Sequence, residues 1–455
     1  MSYKSMTKEE RLSKGNLNQL MFAMAVPTII AQVINILYNI VDRIYIGHIE
    51  GVGSTALTGV GIALPIVTFI SAFSAFVGSG GAPLSSIAYG RGDKKQAEKI
   101  LGNGAFLLIV FSFILMAVFY IWQEPLLYLF GASQDTIGYA REYLSWYLIG
   151  TLSVELALGL NTYIIAQGNT KIAMISVLIG AILNIVLDPV FIFLFGLGVK
   201  GAAIATVISQ TVSGIWIVAF LMGKRAILRL KVKYMKPDTA IIKNVCALGI
   251  SPFIMRATES LISIVMNRGL QNYGGDNYVA SLTIMQSVMQ FMSAPLSGFT
   301  QGIQPIISFN YGAGNFDRVK KTYRRMIAVS TAFSLVATAI VMIFPAFFGR
   351  LFTKETVVID IVVEKMPLFM CGMLIFGVQM AIQPTFLALG QAKISLFIAM
   401  LRKVILLVPL AIVLPFFMGV DGVYFAEPIS DVLSAFTAMT LFLLNINKIL
   451  SKPAQ

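Results

Sequence analysis

The chain has 455 residues, of which 57% are hydrophobic and only 12% charged, with a mean hydropathy of +0.82 and a formal net charge of +13. Soluble globular chains carry about twice that charged fraction, so a water-soluble enzyme is excluded. The net charge does not point to nucleic acid either, because the basic residues collect at the ends of apolar blocks rather than along one face.

The apolar material falls into twelve blocks at 18–47, 55–84, 99–122, 138–166, 172–195, 199–223, 247–268, 279–306, 325–349, 361–388, 394–417 and 421–446. Most are long enough for the ~20 residues that a helix needs to cross a hydrocarbon core. A segment in lipid must satisfy its own backbone, which helices do, and the period-two alternation of a membrane barrel is absent. The expectation is an all-α membrane protein with twelve transmembrane helices in two pseudo-symmetric six-helix lobes. Residues 1–223 form the first lobe, 224–244 a cytoplasmic linker and 245–455 the second.

In chain order, Met1 to Asn16 is polar and of mixed charge, and the block after it is too long for the h-region of a cleavable signal. The first block carries Gln32, Asn35, Tyr38 and Asp42, with His48 at its end. The second runs into Gly80-Gly-Ala-Pro83 and Tyr89-Gly-Arg-Gly92. Glu155 lies in the fourth block, Asn184, Asp188 and Pro189 in the fifth, and Thr206 in the sixth. Glu259 follows in the seventh block, and the eighth has a helical stripe of Met285, Met289 and Met292 beside Gln286, Gln290, Gln301 and Gln304. Arg402 and Lys403 in the eleventh block can pair with Glu427 or Asp431 in the twelfth. Cys246 and Cys371 sit in separate blocks and read as small apolar side chains.

Cations cluster at every even connection. Lys4, Lys8, Arg11 and Lys14 come first, then Arg91, Lys94, Lys95 and Lys99, seven between Lys224 and Lys243, and five between Arg318 and Arg325. Both termini are therefore expected in the cytoplasm. The motif at Gly80–Gly92 recurs as Gly302-Ile-Gln-Pro305 and Tyr311-Gly-Ala-Gly314, an offset of 222 residues. Ala166-Gln-Gly168 recurs as Ala388-Leu-Gly390 at 222, and Gly198-Val-Lys-Gly201 as Gly419-Val-Asp-Gly422 at 221. Two six-span repeats in one orientation are the layout of transporters whose halves rock around a site near the midplane.

Ionisable groups inside spans are costly and mark functional sites. Asn184 and Asp188, four apart, share a helix face. Asp188 and Thr206 lie at similar distances either side of the turn near Leu197, roughly 13 Å from it at 1.5 Å per residue. Asp42, Asn184, Asp188 and Thr206 thus offer the oxygens a hard cation prefers, while the same carboxylates serve equally as proton carriers. Glu155, Glu259, Tyr38, Gln32, Asn35, Met285, Met289, Gln286 and Gln301 are candidate cavity residues.

Val41-Asp42-Arg-Ile-Tyr-Ile-Gly47, Asn184-xxx-Asp188-Pro189, the paired Pro…Tyr-Gly motifs and the repeat resemble the multidrug and toxic compound extrusion (MATE) family, its bacterial MepA-type branch in particular. The resemblance covers essentially the whole chain. It implies a V-shaped secondary-active exporter in the bacterial cytoplasmic membrane, a monomer exchanging lipophilic organic cations or drugs for H⁺ or Na⁺ and needing no cofactor. It also implies that Asp42, Asn184, Asp188 and Thr206 form the coupling site, with the same four as metal ligands where Na⁺ is the ion. Within the tenth block, Gly372 to Ala388 carries Gln379 and Gln383 but no carboxylate, which departs from branches with an acid there.

A flippase for lipid-linked oligosaccharide or peptidoglycan precursors, of the same superfamily, is the alternative; it would be expected to line its cavity with cations, and here they lie at the boundary. An enzyme or receptor has less support, because no phosphate loop, Cys/His cluster or nucleophile elbow occurs. Energy must then come from an ion gradient or a partner.

Overall fold

The computed structural model describes residues 7–451, and Lys4 of the first basic cluster lies outside them. Among the described residues there is helix and no strand. A short helix, α1 (Lys8–Lys14), opens on a capping box in which Thr7 and Glu10 satisfy each other's backbone N–H. Then come α2 (Leu17–Gly47), α3 (Gly53–Gly90), α4 (Lys94–Leu129), α5 (Ile137–Ile149), α6 (Thr151–Ala166), α7 (Thr170–Pro189) and α8 (Gly198–Met222). The second repeat holds α9 (Thr239–Tyr273), α10 (Asp276–Gly312), α11 (Phe316–Ile343), α12 (Pro345–Phe352), α13 (Thr356–Met370) and α14 (Met373–Ala388). It ends with α15 (Ala392–Met400), α16 (Val408–Val413), α17 (Pro415–Met418) and α18 (Val420–Leu450).

Nine described helical stretches are long and apolar enough to cross a membrane, and two bent pairs raise the number to eleven. The remaining passage is α10, whose 37 residues span about 55 Å at 1.5 Å per residue but whose four glutamines dilute its apolar character. The two bent pairs stand where the hydropathy predicts continuous spans. α5 meets α6 at 60° and α13 meets α14 at 46°. Glycine permits both bends: a Cβ on Gly150 would run into Val207, and one on Gly372 into Pro428 and Asp431.

The repeat has a backbone counterpart. Gly92 and Gly314 end matching helices at φ of 83° and 72°, and Gly168 and Gly390 repeat the pattern at 76° and 70°. Only glycine takes these left-handed values at little cost, which explains why the motifs keep it.

The chain forms two compact units, Val26–Arg256 and Met1–Ala25 with Ala257–Gln455. The divisions fall inside α2 and α9. In the first unit the core is built from Ile46, Ala63, Ile66, Ile70, Leu115, Leu144 and Leu148. The start of α9 belongs to it because Phe253 packs edge-on against Phe69, Phe73 and Phe76, with centroids 5.8, 5.0 and 5.7 Å away. Small residues let backbones close up, as where Gly78 faces Gly159. The polar connection after α8 is also tied to this unit. Gln167 accepts from the Ile227 and Leu228 N–H groups at 3.0 Å, and Asp238 N–H donates to Asn103 at 2.8 Å. Buried Glu98 pairs with Lys231 and accepts from the Arg229 N–H.

The second unit centres on Ile262, Met266, Met285, Val362, Phe369 and Tyr424. α1 docks on it through the buried Leu12, and the carbonyls left over at its end receive Arg318 and Asn310. Arg318 Nε donates to Leu12 O at 2.9 Å and Asn310 Nδ2 to the same oxygen at 3.0 Å.

Candidate functional site

Four of the residues singled out from the sequence meet in the first unit. α7 ends at Pro189, which has no N–H to donate, and the chain continues as a π-helical turn over Val190–Leu194. Immediately before the proline, Asp188 is fully buried, and Asn184, one turn earlier, is nearly so. The Asn184 amide donates to Asp188 Oδ1 at 3.1 Å and to Thr206 Oγ1 on α8 at 3.3 Å. Asp42 reaches across from α2, its carboxyl within hydrogen-bonding reach of that of Asp188.

Three oxygens in this group have no partner: Asp42 Oδ1, Asn184 Oδ1 and Asp188 Oδ2. Unsatisfied buried oxygens clustered in one place are uncommon and call for an occupant. Two carboxyl groups in contact repel as bare anions, so they stay together when a proton is shared or a small cation sits between them. An all-oxygen donor set with hydroxyl, amide and carboxylate fits a hard ion such as Na⁺ as well. His48, by contrast, is exposed, its Nδ1 2.7 Å from Ile44 O at the end of α2.

Around the pair stand aromatic side chains, two of which the sequence reading passes over. Tyr143 and Tyr147 of α5 are buried with their rings stacked, centroids 6.2 Å apart, and Tyr143 lies in the electrostatic neighbourhood of Asp42, Asp188 and Tyr38. Their spacing of four is the signal that could have found them. Tyr38 is half-buried on α2, one turn from Asp42, and Gln32 and Asn35 are half-buried on the same helix. Glu155 on α6 is fully buried beside Ser74 of α3.

The remaining candidates lie in the second unit. Met285 is enclosed in the core with Met266 and Phe369, and the partly buried Met289 packs against that core. Gln286 and Gln301 are half-buried on α10. Glu259 is exposed on α9, and its charge acts on Arg402 and Lys403. Arg402 makes the pairing expected from the sequence with both acids at once: Nε to Asp431 Oδ1 at 2.7 Å and Nη2 to Glu427 Oε1 at 3.1 Å. Its guanidinium also lies 4.3 Å from the Phe376 ring centroid. This second buried cluster again adjoins a π-helical stretch, Leu401–Leu407.

Two stretches of the chain, residues 27–190 and 252–413, match the MatE family. The protein is similar to the multidrug export protein MepA of Staphylococcus haemolyticus (strain JCSC1435), 26% identical over 436 residues and 95% of each chain. It is also similar to MepA of Staphylococcus aureus (strain NCTC 8325 / PS 47), 24% identical over 439 residues, 95% of this chain and 96% of that one. Among solved structures, a crystal structure of a MATE protein in complex with MaL6 superposes with a TM-score of 0.91 at 22% identity, over 98% of this chain and 100% of the other. An outward-facing multidrug resistance MATE transporter of the MOP superfamily gives 0.90 at 23% identity, over 98% and 99%. The matched stretches make up well over half of the sequence and correspond to its two repeats, and the chain belongs to the MatE family of membrane transporters.

Proposed function

We propose that the protein is a secondary-active exporter of lipophilic organic cations, driven by H⁺ or Na⁺ entering at Asp42, Asn184, Asp188 and Thr206. The observation that carries this is the approach of the half-buried Asp42 carboxyl to the buried one of Asp188, with three unpartnered oxygens in the group. Such a group needs a positive occupant, and an occupant that comes and goes is a coupling ion. The MepA relatives bear the name of multidrug export proteins over nearly their whole length, which supports drugs as cargo. Setting in a bacterial plasma membrane, with both termini in the cytoplasm and the chain acting as a monomer, completes the reading.

The cycle follows from charge balance. A proton or sodium ion entering the Asp42–Asp188 pair neutralises it, and helices packed on α7 and α8 adjust while the organic cation departs outward. Release of the ion to the cytoplasm restores an acidic site that attracts the next cation. Between the two ions, direct carboxyl–carboxyl contact favours the proton, which such a contact accommodates without further ligands.

The test is ethidium accumulation in energised cells making the protein or Asp188→Asn, with and without sodium and with an uncoupler. Low accumulation that rises with the substitution and with the uncoupler supports proton-driven export; dependence on sodium instead assigns Na⁺. Full export by Asp188→Asn at normal expression would sink the coupling role.

A further inference from the structure

Away from the aspartate group, the first unit holds a cavity of about 490 Å³ lined by Gly138, Tyr139, Arg141, Glu142 and Ser145 of α5. Small-molecule sites run to roughly 300–1,000 Å³, so it is large enough to hold one. The space over Gly138 is open, since a Cβ there would meet nothing within 4 Å. Two polar contacts tie this end of α5 to the end of α4. Ser145 Oγ donates to Oε1 of the buried Gln123 at 2.8 Å, and Arg141 Nη1 lies 3.4 Å from Glu124 Oε2. The second is a long, single contact, which leaves most of the Arg141 fork for a further acceptor. Glu142 is exposed on the same lining.

The depth of the cavity says what fills it. α4 runs unbroken from Lys94 to Leu129, and its cations, Lys94, Lys95 and Lys99, all lie near its start. Tyr120 stands about 31 Å beyond Lys99 at 1.5 Å per residue, and a hydrocarbon core is about 30 Å thick. Tyr120, Trp122 and Tyr128 are exposed, as aromatic side chains at a membrane–water boundary are. Glu124 and Arg141 therefore stand at the level of lipid headgroups, and Ile121, Leu129 and Ile149 are exposed on the same two helices.

We propose that this cavity binds the headgroup of an aminophospholipid, with its phosphate on Arg141 and its ammonium on Glu142. A planar guanidinium takes phosphate through two parallel hydrogen bonds. The first turn of α5, where Gly138 lies, adds the positive end of the helix dipole. Charge selects the headgroup. Arg141 against Glu124 and Glu142 leaves the site negative by one, which favours a headgroup with its own cation over an anionic one. A lipid held there braces α5, the helix that also carries Tyr143 and Tyr147.

Native mass spectrometry of the purified, delipidated full chain, titrated with phosphatidylethanolamine or phosphatidylglycerol, counts bound lipids directly. The wild type is expected to retain phosphatidylethanolamine in preference to phosphatidylglycerol, and that lipid to raise the melting temperature. Arg141→Ala is expected to bind it about three- to tenfold more weakly, through loss of a charge-assisted contact at a partly hydrated site. Glu142→Gln is expected to bind the two lipids alike. Gly138→Trp, which fills the cavity and leaves both charges in place, is expected to lose the retained lipid, and it decides should Arg141→Ala not accumulate. Wild-type binding by Arg141→Ala and Gly138→Trp overturns the site, and an unchanged headgroup preference in Glu142→Gln overturns the place of the ammonium. Soluble glycerophosphoethanolamine that raises the melting temperature as far as the lipid does overturns the lipid as occupant.

Discussion

Asn184 donates from one amide nitrogen to both Asp188 and Thr206 and so holds α7 to α8 at the depth of the aspartate pair. Asn184→Ala leaves the buried Asp188 Oδ1 and the part-buried Thr206 Oγ1 without this donor, and an orphaned buried group costs about 1–3 kcal/mol. The expected outcome is a lower melting temperature in detergent, with export weakened but still dependent on the gradient; unchanged stability would show that the amide does not hold the helices. Much of this group is legible in the sequence itself. The spacing of four puts Asn184 and Asp188 on one face, and equal distances from the turn at Leu197 put Thr206 opposite. Tyr143 and Tyr147 are not legible in the same way, because Tyr in an apolar block also suits a membrane interface and reads as an anchor there. α5 is also bent 60° from α6 at Gly150, where a Cβ would run into Val207, and hydropathy does not announce that bend.

Both buried polar clusters adjoin a π-helical stretch, Val190–Leu194 after Asp188 and Leu401–Leu407 around Arg402. A π turn widens the helix by one residue and is often found at functional sites, but it depends on backbone packing that no local pattern announces. The first is at least hinted at by Pro189; the second has no such mark. In α18, Asp431 and Glu427 are both buried, and Arg402 is the cation that binds both. Arg402→Met leaves two carboxylates unpaired, and breaking a buried pair from one side costs about 3–5 kcal/mol. Loss of folded protein from the membrane fraction is expected. The triple change Arg402→Met, Glu427→Gln, Asp431→Asn is expected to recover part of it, since the two unpaired carboxylates are gone while buried Lys403 keeps the charge of Glu259 nearby. Normal stability in the single variant would mean that the acids are satisfied by something other than Arg402.

Across the whole molecule, the twelve apolar blocks and the repeat foretell the helices well, down to paired glycines with matching φ. The grouping of segments is less legible: hydropathy gives a span no indication of which neighbours it packs against, and here the start of α9 packs with Val26–Arg256. The connection after α8 is also bound rather than slack, through Gln167, Glu98 and Asn103. Gln167→Ala removes the acceptor of the Ile227 and Leu228 N–H groups, so trypsin should cut at Arg229 or Lys231 markedly faster than in the wild type. An equal rate would show that the other two anchors suffice. These features all serve one central claim, that ion entry at Asp42 and Asp188 drives export of an organic cation. Its most direct test is purified protein in liposomes loaded with ethidium, with a proton or a sodium gradient imposed across the membrane. The account predicts that ethidium moves opposite to one of the two ions, and that Asp188→Asn abolishes this movement without abolishing ethidium binding. Ethidium flux indifferent to both gradients, or unchanged in Asp188→Asn, would contradict it.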